Sequence, residues 1–558
     1  MIRVAVNPDR LDAVAEFFEL FKTAWKPYVA GEECTVLLTD GTVLTDASAV
    51  LYILFSPDHH LNDIPSERPL TSPNDGFRVR TICGSDLPIY TACRFFQGLE
   101  KPLLINSSGR VLAYKKTERG QIVVRVGYDL FDEVDYLLST GQPPVNAGIA
   151  ALDRQIDFLR RCILDAGLPV FELLPCPPGH PYMVCLTHDV DFVSIRSYGV
   201  GRTFQGFLKR ALFGSWKRML NGSLTWKGLF KNYAAVLSIP LVHLRVLKDF
   251  WMQFDAYRQM EEPNRSTFFL IPFKHRPGEQ VAEPYPHRRA SRYDVEDVRE
   301  EVLPLVEEGW EMGLHGIDAW RDAECGKVEK TRIESVLNRN MRGIRMHWLC
   351  SNVHTNQVLD EAGFEYDSTC GYNETVGFRA GTSQVFKPLD AGTLLEVPMH
   401  IQDVALFYPA FMNLDEDTAW NQCRDVLEEC KRYAGVLTVL WHMRSLAPER
   451  QWGGFYRRLL ERFRADDAWI GTAGQVADWF RNRRAARIAQ NDSPDGEMMI
   501  CLEGNSGLPM TIRVYHPAEF DPSTVLEVSD EVRSDSSEIH TGFYADAVFR
   551  SSVEANAV

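Results

Sequence analysis

Short apolar segments that end in an ionisable side chain recur beyond residue 180, and this repetition restricts the fold more than any other feature. The first segment, residues 185–192, reads CLTHDVDF, and at least four more follow it, separated by stretches with helical periodicity. Their polar ends are Asp189 and Asp191, His315, Arg345 and His347, Asp367, Glu396 and His400, and His442. Because the carboxyl ends of parallel strands meet at one edge, we expect a barrel-like α/β fold with one convergent site.

The two aspartates of the first segment have two interpretations at this stage. Asp189 and Asp191 follow an apolar run, where residues of α/β folds bind ligands, and carboxylates there can hold a metal or move a proton. They are equally suited to cap a turn, since Asx turns are common at strand ends. A lone buried histidine is also more often a hydrogen-bonded core residue than a ligand. The functional prediction therefore rests on the whole series.

The composition is that of a globular protein with several domains. The chain of 558 residues is too long for one core, and we expect about three domains. A net charge of −16 argues against a nucleic-acid binder. The 12 cysteines form no CxxC pair, so neither a zinc ribbon nor a disulfide framework is indicated. The N-terminal residues do not resemble a secretory signal. No stretch of the sequence reaches about 18 uninterrupted apolar residues, as a membrane-spanning helix would. We therefore expect a cytoplasmic protein.

Pattern changes along the chain predict four regions. Residues 1–145 alternate strand and helix patterns and are expected to form an open α/β accessory domain. Residues 146–180 read as a helix followed by a stiff proline-rich linker without a strand. Residues 181–486 carry the series of polar strand ends and are expected to form the barrel. Residues 487–558 alternate with period two and are expected to form a small β-rich appendage followed by a disordered polar tail.

Residues 193–250 form a basic amphipathic helical insertion in the predicted barrel. Between residues 202 and 248 the chain has nine lysines and arginines, no acidic residue, and interleaved aromatic and aliphatic side chains. One interpretation is a peripheral contact with an anionic surface such as a membrane, a lipid-linked glycan or an anionic polymer. The other is a helical excursion whose basic face is solvated or pairs with acidic parts of the same chain. The sequence leaves both open.

The ordered series of motifs is far more specific than any single residue. The segments THDVD at 187–191, STFFLIP, GWEMGLHG, IRMHWL, FEYDSTCGY and VLWHMRS resemble the polysaccharide deacetylase superfamily, the carbohydrate esterase group with the chitooligosaccharide deacetylase homology domain. The resemblance covers about residues 181 to 480. It implies a distorted (β/α) barrel with a divalent metal, usually zinc, at its mouth. It also implies hydrolysis of the N-acetyl group of an amino sugar.

The resemblance assigns roles to the first motif, although this chain departs from the family pattern there. Asp189 matches the general base. The family usually has two adjacent aspartates, whereas here Val190 intervenes and Asp191 is the nearest equivalent of the metal-binding one. Which aspartate holds the metal is open, and His188 is a further candidate ligand.

The second motif of the family supplies two histidine ligands four residues apart. This chain has His315, but the second position is Ala319. His347, in the third motif, is placed to supply the missing imidazole from another strand. The resemblance therefore implies a metal site of Asp191, His315 and His347.

Further residues take roles by the same comparison. His442 matches the general acid that protonates the leaving amine. Asp367 is expected to orient groups around the site, and Arg345, in the third motif, is expected to take part in catalysis. Trp348 is expected to line the substrate groove, and Arg379 to assist there or to bind a carboxylate or phosphate.

Three functions fit these expectations. The first is a metal-dependent deacetylase acting on an amino-sugar glycan or its precursor. Three protein ligands leave zinc an open position for water. A carboxylate then takes the proton of that water, and an imidazole returns a proton to the amine. The second is an altered barrel that serves as a glycan-binding or assembly module. The third is a hydrolase of another non-peptide C–N bond, such as that of a cyclic imide or ureide.

Overall fold

The structure is a computed structural model, and its chain forms two compact units. The residues that it describes are 1–42, 49–60, 63–97, 101–118, 120–222, 224–279, 289–492, 498–504, 508–517, 530–533 and 547–549. The first unit comprises Met1–Gly179, Ala380–Gln384 and Trp479–Val558. The second unit comprises His180–Arg379 and Val385–Asp478.

A nine-stranded mixed sheet forms the N-terminal part of the first unit. Its strands are β1 (Ile2–Ala5), β2 (Trp25–Pro27), β3 (Cys34–Thr39), β4 (Ala49–Phe55), β5 (Phe77–Thr81), β6 (Asp86–Ile89), β7 (Lys101–Asn106), β8 (Val111–Glu118) and β9 (Gln121–Val126). Their order is β2-β1-β3-β4-β9-β8-β7-β5-β6. The ladders from β2 to β9 are parallel, and those from β9 to β6 are antiparallel. The open α/β architecture predicted for this region is confirmed.

Three helices accompany this sheet. They are α1 (Leu11–Phe21), α2 (Leu130–Ser139) and α3 (Ala151–Asp165). Asp129 caps the N-terminus of α2, because its carboxylate accepts hydrogen bonds from the backbone N–H groups of Phe131 and Asp132. Such a cap satisfies N–H groups that have no partner within the helix.

The predicted linker contains a strand that the sequence analysis did not anticipate. Residues 170–173 form β10 (Val170–Leu173), so the expectation of a linker without a strand is wrong for these four residues. Prolines flank the segment at 169 and 175 but are absent from it, which leaves its N–H groups free to pair. The pairing was not detectable locally because the partner strand lies more than 300 residues further along the chain.

The second unit is built on a curved, wholly parallel sheet. Its strands are β11 (Met183–Val190), β12 (Thr267–Leu270), β13 (Glu311–Gly316), β14 (Gly343–Met346), β15 (Tyr366–Asp367), β16 (Leu395–Glu396), β17 (Ile401–Gln402), β18 (Val436–Leu440) and β19 (Trp469–Gly471). Their order is β16-β15-β14-β13-β12-β11-β18-β17, and β19 also pairs with β11. Every residue of β11, β12, β14 and β18 is buried, as expected for parallel strands covered on both faces.

Helices alternate with these strands, which confirms the predicted distorted (β/α) barrel. The helices are α4 (Arg202–Leu208), α5 (Ser215–Leu220), α6 (Trp226–His243), α7 (Phe254–Glu261), α8 (Arg299–Glu307), α9 (Ala323–Leu337), α10 (Thr355–Glu361), α11 (Asp403–Phe407), α12 (Glu416–Arg432), α13 (Gly453–Ala465) and α14 (Ala473–Ala485). The residues of α14 from Trp479 onwards belong to the first unit. No ladder joins the edge strands β16 and β17 among the described residues, so the barrel is open there. The predicted helical insertion corresponds to α4, α5 and α6.

The C-terminal strands belong to two small antiparallel sheets of the first unit. They are β20 (Arg487–Asp492), β21 (Met498–Glu503), β22 (Thr511–Tyr515), β23 (Asp530–Arg533) and β24 (Ala547–Phe549). One sheet has the order β10-β22-β23 and the other β20-β21-β24. The β-rich character predicted for this region is confirmed, whereas the predicted polar tail lies largely outside the described residues.

We expect Glu133 to make the stability of the first unit depend on pH. Its buried carboxylate accepts hydrogen bonds from Tyr90 N at 2.9 Å and Thr91 N at 3.1 Å, yet burial raises the pKa of Glu133 from 4.5 to about 7. Since the folded state binds this proton more tightly than the unfolded state, the free energy of unfolding should fall by at most about 3 kcal/mol as pH rises from about 4.5 to 7.

Urea unfolding followed by circular dichroism across this pH range tests the expectation. Glu133→Gln should remove that part of the pH dependence, whereas Glu33→Gln, at an exposed site, should keep it. Equal slopes for Glu133→Gln and the wild type would contradict the assignment.

Candidate metal centre

The polar residues predicted from the sequence lie at the carboxyl ends of neighbouring parallel strands. Asp191 is the first residue after β11, and His347 is the first after β14. His315, near the end of β13, pairs in register with Arg345 of β14. The parallel ladders therefore place these side chains at one edge of the sheet.

Three of these side chains converge closely. Nε2 of His315 lies 3.0 Å from Nδ1 of His347. Oδ1 of Asp191 lies 3.3 Å from the first of these nitrogens and 3.2 Å from the second. The three atoms thus form a small triangle of potential ligands.

The opposite nitrogen of each imidazole faces a backbone carbonyl. Nδ1 of His315 lies 3.0 Å from the carbonyl oxygen of Arg345, and Nε2 of His347 lies 3.0 Å from that of Arg289. A carbonyl only accepts hydrogen bonds, so each ring donates there. In the neutral tautomers the nitrogens inside the triangle therefore carry lone pairs, and burial, which lowers the pKa of His347, favours its neutral form.

A divalent cation fits this arrangement. Oδ1 of Asp191 is buried and has no hydrogen-bond donor among the described residues, although the side chain as a whole is 19% exposed. Two nitrogen lone pairs and a carboxylate oxygen repel one another unless a positive charge lies between them. In a tetrahedral zinc site with bonds of about 2.0–2.2 Å, ligand atoms lie about 3.3–3.6 Å apart, close to the edges of the triangle.

Asp189 occupies a different position from Asp191. Its Oδ1 accepts a hydrogen bond of 3.0 Å from Nη1 of Arg345, and its Oδ2 lies 3.7 Å from Nε2 of His315. Arg345 is buried and also donates to Thr187 and Ser368, so its guanidinium is fixed. Asp191, and not Asp189, has an oxygen within 3.3 Å of both imidazoles, whereas Asp189 keeps one oxygen directed to the edge of the triangle.

A histidine–aspartate pair, His442 after β18 and Asp403 after β17, faces the triangle. His442 Nδ1 lies 2.6 Å from Oδ1 of Asp403, and the His442 backbone N–H donates to Oδ2 of Asp403 at 2.7 Å. Burial lowers the pKa of His442 but the carboxylate of Asp403 outweighs it, and the pKa rises to about 9. The other ring nitrogen, Nε2, lies 3.8 Å from Oδ2 of Asp191. This raised pKa favours the protonated form of the His442 imidazole.

Comparison with known proteins gives remote structural matches only. No family model matches the chain, and no curated protein matches it significantly. A structure from Mycobacterium smegmatis assigned to the polysaccharide deacetylases shares 20% identity over 56% of this chain and 95% of its own, with a TM-score of 0.33. An allantoinase shares 14% identity over 55% of this chain and 93% of its own, with a TM-score of 0.33.

A third match is a pseudoenzyme of carbohydrate esterase family 4 from Bacillus anthracis. It shares 11% identity over 55% of this chain and 71% of its own, with a TM-score of 0.27. The first and third matches come from the group that the sequence motifs resemble.

The remaining predicted residues have the following environments. Asp367 accepts a hydrogen bond from Thr369 Oγ1, which itself accepts one from the backbone N–H of Met346, the residue before His347. Burial raises the pKa of Glu396 well above its usual range, and that carboxyl group hydrogen-bonds Asp367. Asp367 is thus connected through Thr369 to the backbone that precedes His347, and a role for it in orienting the site remains a prediction.

Trp348 and Arg379 lie on loops. Trp348 is 45% exposed and adopts a positive φ of 63° directly after His347. Arg379 donates to the carbonyl oxygen of Gly371 at 3.4 Å and lies over the ring of Tyr372. A substrate-binding role for these two residues remains a prediction.

His188 is not available as a ligand, so that expectation is wrong. Its ring nitrogens lie 2.8 Å from the carbonyl oxygen of Trp441 and 2.8 Å from Oε1 of Glu261, and the residue is fully buried. Successive side chains of a strand point to opposite faces, so His188 faces away from Asp189 and Asp191. His400 is likewise structural, since its Nδ1 accepts a hydrogen bond from the backbone N–H of Thr438.

Sequence reasoning missed two residues that contribute to the site. Asp403 follows the short strand β17, as the other polar residues follow theirs, and this position was a usable signal. Arg289 contributes its backbone carbonyl to His347 and its guanidinium to the carbonyl oxygens of Ile317 and His347. No sequence pattern identifies a residue that acts through its carbonyl group.

We expect His315→Ala and His347→Ala each to abolish stoichiometric metal binding, because two remaining ligands hold zinc too weakly. Mass spectrometry of metals in the purified proteins measures this directly. His354→Ala, at an exposed histidine outside the triangle, should retain the metal. Retention of one zinc per chain by both triangle variants would disprove the assignment of these ligands.

Proposed function

We propose that this chain is a metal-dependent hydrolase that removes an N-acetyl group from an amino-sugar glycan or glycan precursor. The observation that carries the proposal is the convergence of His315 Nε2, His347 Nδ1 and Asp191 Oδ1. Hydrogen bonds to backbone carbonyls set the tautomers of the two histidine rings. Three protein ligands are the number typical of catalytic zinc sites, since a fourth position stays open for water or substrate.

Asp189 has the environment required of a general base. A bound zinc ion would supply a Lewis acid for the amide carbonyl and lower the pKa of a water molecule to about 7. Arg345 holds one oxygen of Asp189 and thereby fixes the carboxylate, while the other oxygen faces the triangle. That oxygen is placed to accept the proton of the attacking water.

His442 has the environment required of a general acid. Asp403 binds its Nδ1, so Nε2 is the nitrogen that faces the site. An amine leaves an amide only when it is protonated, and Nε2 of His442 is placed to donate that proton. Asp189, on β11, and His442, two residues after β18, thus lie beside the same triangle as the base and the acid that amide hydrolysis requires.

The surroundings of the triangle are compatible with a sugar substrate. His442 keeps 15% of its side chain exposed, and Asp191 keeps 19%, so solvent reaches the centre. Trp348 presents an exposed aromatic face next to His347, and such faces pack against the apolar side of sugar rings. Arg379 is the candidate for a carboxylate or phosphate of the substrate.

Release of acetate from N-acetylated amino-sugar oligosaccharides tests the proposal. The wild type with zinc should release acetate, and Asp189→Asn and His442→Ala should each reduce kcat by about 10²–10⁴-fold while the zinc content stays unchanged. Asp417→Asn, at an exposed position in the first turn of α12, serves as the control and should keep full activity.

Other outcomes assign the site differently. Hydrolysis of cyclic imides or ureides without acetate release would place the chain among hydrolases of another C–N bond. A zinc-loaded protein that binds the oligosaccharides but hydrolyses no amide would identify the barrel as a glycan-binding module. Either result would contradict the proposed deacetylation.

A further inference from the structure

Helix α6, in the insertion that follows Asp191, is apolar on two opposite sides. Its inner side contributes Ala235 and Val242 to a buried cluster that includes Phe207 and Trp251. This packing accounts for one apolar stripe of the helix. A helix that is apolar all round is usually buried all round, so its other side requires an explanation.

The outer side of α6 is uncovered. Its stripe consists of large apolar residues spaced by three or four positions, which places them on one face of the helix. These residues, with their exposed fractions, are Trp226 (62%), Phe230 (69%), Tyr233 (38%), Leu237 (79%), Leu241 (43%) and, just after the helix, Leu244 (72%). Phe213 and Leu220, in the preceding helical segments, are 76% and 69% exposed. We call the six residues from Trp226 to Leu244 the outer stripe.

Basic side chains border the outer stripe. Lys227 and Lys231 follow Trp226 and Phe230 by one residue each, which turns them about 100° around the helix. Both are exposed, as are Lys217 and Arg245, whereas Lys248 pairs with Asp255 at 2.9 Å. No acidic residue occurs between Asp191 and Asp249, although the chain as a whole carries a net charge of −16. Positive charge is thus concentrated beside the exposed apolar surface.

We propose that the outer stripe docks on the surface of a bilayer containing anionic lipids. Aromatic and leucine side chains would enter the boundary between headgroups and acyl chains, and the flanking lysines would bind the lipid phosphates. A second copy of the chain is disfavoured as the occupant because it would bring the same positive charges together. No described helix is long and apolar enough to cross a membrane, so the contact is interfacial.

The insertion is held firmly on the barrel. Gln451 donates to the carbonyl oxygen of Gly228 at 3.0 Å, and Arg218 donates to that of Arg450 at 3.2 Å. The guanidinium of Arg444, two residues after His442, lies 3.8 Å from the centre of the Trp251 ring. A docked insertion would therefore tether the barrel to the lipid surface. Any effect of docking on catalysis rests on the proposed function, whereas the docking of the outer stripe does not depend on the proposed function.

Co-sedimentation with lipid vesicles tests the docking. The full chain should pellet with vesicles of phosphatidylcholine containing about 30% phosphatidylglycerol and much less with phosphatidylcholine alone, and added salt should weaken the binding. The double variants Phe230→Ser/Leu237→Ser and Lys227→Glu/Lys231→Glu should each weaken binding to the anionic vesicles by about tenfold or more. Val353→Ser, at a valine that is 84% exposed outside the insertion, should bind as the wild type does.

Three results would overturn the docking proposal. One is the absence of wild-type binding to the anionic vesicles at low salt, and another is equal binding by the wild type and both double variants. The third is conversion of a dimer to a monomer by Phe230→Ser/Leu237→Ser without any vesicle binding, which would assign the outer stripe to a second copy. Zinc content and acetate release from a soluble oligosaccharide are measured on the same proteins, so failure of docking and failure of catalysis are separate outcomes.

Discussion

The polar edge of the barrel brings two imidazole lone pairs and one carboxylate oxygen together. These groups repel one another unless a positive charge lies between them. The direction of the lone pairs is set by groups outside the triangle. Each ring donates its N–H to a backbone carbonyl, that of Arg345 for His315 and that of Arg289 for His347, so its other nitrogen faces the centre. These carbonyls belong to the backbone, so the tautomers are set by the fold itself. Asp189 and His442 lie beside the triangle, and each directs one side-chain atom towards it.

Successive side chains of β11 lie in different environments, one at the polar edge and the next in the core. Asp189 points to the polar edge, whereas His188, one residue earlier, is buried between the carbonyl oxygen of Trp441 and the carboxylate of Glu261. The same Glu261 oxygen also accepts a hydrogen bond from Tyr456 at 2.6 Å. Two ionisable neighbours in the sequence therefore have unrelated roles, because a strand places successive residues in different environments.

The barrel and most members of the site were predictable from the sequence, since a polar residue directly after an apolar strand marks the functional edge of a parallel sheet. Position along the chain could not show which aspartate approaches the imidazoles, because that depends on the direction of the backbone after β11. The carbonyl of Arg289 was undetectable for a different reason, since any residue type offers the same group. Strand β10 was missed because its pairing depends on residues 511–515.

The origin of the second imidazole has a consequence for how such centres are recognised. His347 comes from β14, and Ala319 occupies the place where a paired histidine of the second motif would stand. The two imidazoles of the candidate centre are thirty-two residues apart in this chain, whereas the motif that the sequence resembles has its two histidines four residues apart. A search pattern that demands two closely spaced histidines passes over a centre of this kind. A search for histidines at the ends of adjacent parallel strands, each bonded to a backbone carbonyl, would find it.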